Sequence, residues 1–308
     1  VLNGTTTNIL KGSGTMNDPY IISDTSTLNL IANKINNGEF SSLIHVDLLC
    51  DLDISGYNIS IGTKEHPFLG QFNGNGKTII NDNATNPLFG YVDSSSVLFD
   101  FFIQSKNCKA PSFFCLNNKG WIDFVSILPT SYFNDEFVKK YDDNTFFAGA
   151  VASKNTGKLT QCSNYAGMNW SGNDGVYVGG LVGNNAGYVL TSLSEGKVSG
   201  GNVGGLIGYD SAGEYANTSN RVAYNIFAGS LSCSSLGGTI IASTSCTSSD
   251  FLSTCSYVDC NLPPIGESYF EIPSTIRKYS QEDLYNGKCL YEINKASPDD
   301  SKCWSLIS

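Results

Sequence analysis

Apolar residues in this chain recur once per repeat unit, not once per strand or helical turn. The clearest unit is Val178–Gly187 (VGGLVGNNAG), a small-residue strand closed by a turn and followed by a second strand from Tyr188. Residues 203–213 (VGGLIGYDSAG) repeat it, 148–157 (AGAVASKNTG) repeat it upstream, 114–120 (FCLNNKG) is a worn copy, and Leu88 opens another. Copies about 25 to 37 residues apart predict a stack of short strands and turns in which each coil covers the last. In register they give one apolar column of Leu88, Phe114, Val151, Leu181 and Leu206, and beside it Phe89, Cys115, Ala152, Val182 and Ile207. Asn118, Asn155 and Asn185 form a third column at the turn, where asparagine tolerates a left-handed backbone and its side chain can bond from coil to coil.

Elsewhere the pattern changes. Leu28, Ile31 and Ile35 fall at helical spacing, with Thr25 or Ser26 as the cap and Asn37-Gly38 as the stop. Residues 44–53 read as a strand, and Phe68–Ile80 as a hairpin turning through Asn73-Gly74-Asn75-Gly76. Residues 97–103 and 121–127 read as buried strands. Residues 129–144 form an insertion carrying Tyr132, Phe133, Phe137 and Tyr141 among charges, suited either to a lateral contact or to a loop folded on its own aromatics.

Residues 178–200 (VGGLVGNNAGYVLTSLSEGKVSG) resemble the GLUG-type repeat of secreted and surface-anchored proteins. Residues 12–92 are similar to the leader that precedes such repeats, through GTMNDPYII, a helix, DLDIS and FLGQFNGNGKTI. The tail from Ile276, with Trp304 near its end, resembles the family's last coil. The resemblance implies a parallel β-helix of an adhesin or other surface protein, a helix covering the first coil, and a scaffold motif without catalytic residues. The expected fold is therefore all-β: a right-handed parallel β-helix with a short N-terminal capping helix and a Cys-rich C-terminal part. We expect one continuous domain, with cap and first coils over 1–92, repeat-bearing coils over 93–230, and Cys-rich loops with the final coil over 231–308. Eight to ten coils at about 4.8 Å each give a rod of roughly 40–50 Å.

Composition sharpens the cellular reading. Only 15% of residues are charged, against 32 glycines, 16 tyrosines and 17 phenylalanines, which suits a turn-rich β protein. A formal charge of -10 argues against a nucleic-acid partner or an anionic membrane surface. Ten cysteines point to an oxidising compartment, with Cys233, Cys246, Cys255, Cys260, Cys289 and Cys303 as disulfide candidates. Sequons at Asn3, Asn58, Asn83, Asn169 and Asn217 add N-glycans. A start at Val1 without a leader fits a signal peptide already removed. No apolar run reaches about 18 residues, so no membrane span is expected.

Catalytic constellations are not evident. The run at Gly74-Asn75-Gly76-Lys77-Thr78 lacks the first glycine of a phosphate loop, because that position is Gln71. The pair Asp51 and Asp53 could serve Ca2+ or acid–base chemistry, yet no oxygen-rich loop accompanies it. His45 and His66 stand without a ligand cluster or a Gly-x-Ser-x-Gly elbow. No metal or cofactor is expected. The expectation is a non-enzymatic extracellular structural protein, self-associating into a filament, coat or adhesin. The alternatives are a carbohydrate-binding adhesive module, with Tyr132, Phe133 and Trp170 stacking on sugars, and a polysaccharide lyase or hydrolase using Asp142-Asp143 near Lys139-Lys140.

Overall fold

The computed structural model describes residues 10–134, 147–170, 175–211, 213 and 218–296. It is mainly β, and every ladder between its strands is parallel, in three sheets of 15, 7 and 5 strands. Consecutive rungs are separated by whole repeats in sequence, as a solenoid-like winding requires. In the large sheet ten rungs follow one another from Tyr20–Ile22 to Arg277–Tyr279. Each closes on the next at the repeat offset, as in Gln71 beside Val97, Val97 beside Trp121 and Trp121 beside Lys158.

The apolar columns read from sequence are the interior. Phe89, Cys115, Ala152, Val182 and Ile207 pair in that order along the seven-strand sheet, which continues through Ile241 and Ile265. Their neighbours Leu88, Phe114, Val151, Leu181 and Leu206 are buried with them in one continuous core. Toward the N-terminal end this core is aromatic, with Phe68, Phe72, Phe89, Phe101 and Phe114 in mutual ring contact at 5.2–6.2 Å.

The helix forms where its spacing predicts, as α1 (Thr25–Asn36), and buries Leu28, Ile31 and Ile35 against the first rungs. Its cap is Asp24, one residue earlier than expected. Asp24 Oδ1 accepts from the Thr27 amide at 2.8 Å, and Thr27 Oγ1 accepts from the Asp24 amide at 3.2 Å. This reciprocal box satisfies two groups at the N-terminal end, and Gly38 in a left-handed conformation ends the helix.

Two expectations are corrected, and the tail, whose Arg277–Tyr279 forms the last described rung, adds helices that were not expected. The stretch Gly70–Ile80 is one strand, parallel to Ile44–Leu48 on one side and Val97–Gln104 on the other, not a hairpin. Its Asn75 and Gly76 have φ of 51° and 63°, so the Asn-Gly signal serves a bulged corner within the strand. The Cys-rich segment is wound into rungs such as Leu231–Gly238, Ile241–Thr244 and Ser256–Val258, where loops were expected. The described part of the tail closes with two helices, α2 (Gln281–Tyr285) and α3 (Lys288–Ala296). They cover the outer face of the last rungs through Ile226, Val258, Tyr279, Cys289 and Ile293. No helix among the described residues is long and apolar enough to cross a membrane.

The glycines of the repeat explain how two sheets meet. A Cβ on Gly179 would lie 1.9 Å from the Val182 carbonyl oxygen and 2.6 Å from the Gly208 nitrogen, one coil on. Gly149 stands in the same way against Gly183, and Gly238 against Gly266, with Gly204 set against Ala242. The first glycine of one coil thus seats the small residue of the next, and backbone packs directly on backbone.

Candidate functional site

Two arrangements of polar and aromatic groups stand out from the scaffold. The first is internal. The asparagine column is a hydrogen-bonded ladder: Asn118 Nδ2 donates to Asn155 Oδ1 at 2.8 Å, Asn155 Nδ2 to Asn185 Oδ1 at 2.8 Å, and Asn185 Nδ2 to Asp210 Oδ1 at 2.7 Å. None of these asparagines is left-handed; they lie at strand ends, fully buried. Burial without partners would cost about 1–3 kcal/mol per group, so the ladder is what makes amides tolerable here.

The ladder ends on an ion pair that the sequence did not announce. Arg221 and Asp210 are both completely buried, with Nη2 to Oδ2 at 2.8 Å. Arg221 also donates to the Gly187 carbonyl at 2.9 Å and lies 5.0 Å over the Phe251 ring. Burial pushes the Asp210 carboxyl up, while the guanidinium and the Asn185 amide pull it back. With both groups paired inside the wall, the arrangement orders structure and is closed to a substrate.

A second internal column follows a left-handed corner. Asp100, Phe124, Gln161, Thr191, Tyr224 and Thr254 have φ between 44° and 64°, one per coil of the large sheet. Just after the corner, Ser192 Oγ accepts from the Cys162 amide at 3.1 Å and Asn225 Oδ1 from the Ser192 amide at 2.8 Å. Each polar side chain therefore satisfies a backbone donor that the bend has freed.

The second arrangement is external. On the outer face of the large sheet, before the part that α2 and α3 cover, Phe102 and Trp121 are each 39% exposed and Phe124 is 51% exposed. Trp121 is held in place: its Nε1 donates to Thr160 Oγ1 at 2.6 Å, and Lys158 Nζ lies 4.7 Å over the ring. Thr160 in turn donates to Asp123, whose carboxyl burial pushes up. Ser126 and Ser163 hydroxyls, 2.7 Å apart, continue the row.

The predicted site residues are distributed otherwise. Among the proposed sugar platforms, Phe133 and Trp170 are 4% and 7% exposed, packed inward, and only Tyr132 faces water. Asp51 and Asp53 are occupied locally, Asp51 accepting from the Thr78 amide and Asp53 from the Ser55 amide. His45 Nδ1 pairs with Gln71 Oε1 at 3.1 Å, and His66 lies on the surface. Lys139, Lys140, Asp142, Asp143, Phe137 and Tyr141 lie outside the described residues, as do the sequons Asn3 and Asn217. Asn58, Asn83 and Asn169 are exposed. Asn58 and Asn83 stand on left-handed corners and accept through Oδ1, from Asn86 Nδ2 and from Asn107 Nδ2, each at 2.8 Å.

The disulfide expectation is corrected. Among the described residues Cys233, Cys246, Cys255, Cys260 and Cys289 carry free thiols, and Cys303 lies outside them. The cysteines face different surroundings: Cys246 turns to Asp210 and Arg221, Cys255 to the Val222 carbonyl inside the coil, and Cys289 lies on the buried face of α3, against the outer face of the last rungs. Burial pushes the thiols of Cys108, Cys162 and Cys255 up to about 12 and that of Cys289 to about 11. Because their usual value is 9.0, stability is complete below pH 9 and falls as pH rises toward 12. A thiol reagent at pH 8 should label Cys50, Cys233 and Cys260, which are partly exposed, and reach the buried thiols only after unfolding. Rapid native labelling of Cys108 or Cys255 would contradict this packing.

Among the described residues no group of three potential metal ligands comes together. No family model matches the chain, and no curated protein does. A solved structure from Bacteroides ovatus, provisionally named an immunoglobulin A1 protease, is similar with a TM-score of 0.63 at 15% identity. The match covers 93% of this chain and 90% of that one. At that identity the likeness concerns the winding of the chain, and the activity in the name stays with that protein.

Proposed function

We propose that the chain is a non-enzymatic extracellular structural protein, a GLUG-type right-handed parallel β-helix that is secreted, N-glycosylated and built for contact. What carries this reading is that both described ends of the coil are covered. At the N-terminal end α1 lays Leu28, Ile31 and Ile35 over the first rungs. At the other end Phe270, Ile272 and Ile276 pack onto the core, with the Phe270 ring 5.9 Å from Phe251. Covered ends oppose head-to-tail stacking through strand edges, so self-association into a coat, filament or adhesin runs through the flanks. Sedimentation velocity and negative-stain microscopy test it. Concentration-dependent, side-by-side assemblies are expected, whereas monomers at every concentration would remove the assembly role.

A second reading, a carbohydrate-binding adhesive module, is favoured by the exposed rings of Phe102, Trp121 and Phe124. It predicts glycan binding by an isolated monomer.

A further inference from the structure

Phe124 occupies a corner that the fold requires to be left-handed, with φ of 50°. Asparagine, aspartate or glycine adopt that conformation most cheaply, and the preceding corners use Asn75 and Asp100. Phenylalanine there is disfavoured by its backbone, and with 51% of the residue exposed it gains little from burial. The corresponding aromatic three coils on, Tyr224, packs with the small core under α2 and α3. Phe124 has no such cover from them. Gln161, Thr191, Tyr224 and Thr254 bear the same backbone cost further along the column, so what sets Phe124 apart is its large exposed apolar ring, and that points to a use outside folding.

Its neighbours indicate the use. Trp121 lies on the same strand, with its ring orientation set by Thr160 and Lys158, and Phe102 lies on the adjacent rung, where it pairs with Ser126. Asp123 stands between Trp121 and Phe124 in sequence and has one carboxylate oxygen committed to Thr160. Rings, a carboxylate and hydroxyls thus flank one corner of the coil, Trp121 and Asp123 before the bend and Phe102 and Ser126 after it, on rungs about 4.8 Å apart. Such a surface matches a ligand that is extended and that alternates C–H faces with hydroxyl edges. The rings stack on the former and the carboxylate accepts from the latter. A chain with net charge -10, and with Asp100 and Asp123 on this face, disfavours a polyanion.

We propose that Phe102, Trp121 and Phe124, with Asp123 between the last two, form a binding face for a neutral polysaccharide strand. This rests on the carbohydrate-binding reading and gives it a site and a substrate class. Native gels of the full chain containing soluble neutral polysaccharides (β-glucans, xylan, mannan and galactomannan) read binding as retardation. At least one should retard the protein. Phe124→Gly should weaken binding roughly tenfold, as loss of one stacked ring does, while leaving the urea midpoint unchanged or raised. Phe102→Ser, on another rung, supplies an independent arm and should also weaken binding. Retardation by none of the polysaccharides would overturn both the site and the carbohydrate reading. Binding that survives both substitutions would overturn the site alone. A self-associated species that Phe124→Gly disperses would give the face to a second copy and overturn the proposal, as would a large loss of stability in that variant.

Discussion

Replacing Asp210 by leucine should destabilise the protein by about 3–5 kcal/mol, seen as a fall in the urea midpoint. The carboxylate is the counter-charge of Arg221, and both are fully enclosed. Its removal strands a guanidinium away from water and leaves Asn185 Nδ2 with only the Gly187 carbonyl as acceptor. The penalty belongs to the orphaned charge and not to the worth of the pair. The double variant Asp210→Leu with Arg221→Met should therefore recover much of the loss, because two apolar side chains need no compensation. A double variant as unstable as the single one would show that the ladder, not the charge, sets the cost.

Gly179→Ala should cost about 3 kcal/mol or more, since the added methyl meets only backbone. At 1.9 Å from the Val182 oxygen and 2.6 Å from the Gly208 nitrogen it cannot be relieved by a rotamer change. The two sheets must separate, and their contact runs through several coils. Gly56→Ala is the comparison: nothing stands within 4 Å of its Cβ, and only its φ of 81° opposes the change. That should cost about 1–2 kcal/mol. Equal losses at the two positions would mean that the close approach of the coils carries no energy.

Much of the winding was legible because it is written once per coil. The columns through Phe89 and Leu88 are register partners in the structure, and Asn118, Asn155 and Asn185 bond in the order their alignment gave. Local signals were less faithful. Asn73-Gly74 and Asn75-Gly76 favour left-handed backbone, which a hairpin and a bulged corner both need, so the dipeptides could not choose between them. The cysteine count carries no direction, and several of these side chains turn into the coil, where each behaves as a small apolar residue. Arg221 was missed for want of a local motif. A signal existed: Asp210 falls in the column of buried amides, where an acid needs a cation, and the chain holds just two arginines. The outer aromatic face was invisible for a related reason. Trp121, Phe124 and Phe102 read as core until the left-handed corner, breaking the alternation of the strand, places Ile122, Val125 and Ile103 inside and leaves the others out.

In the amide row every Nδ2 points toward Asp210 and every Oδ1 away from it. Such a row has a sense, like a line of arrows. Cut anywhere between Asn118 and Asp210, it frees one side-chain N–H on one piece and one acceptor oxygen on the other. That stretch is indivisible, and recombination or domain grafting would have to respect it. A whole winding could be spliced in only by bringing its own amide, oriented as its neighbours are.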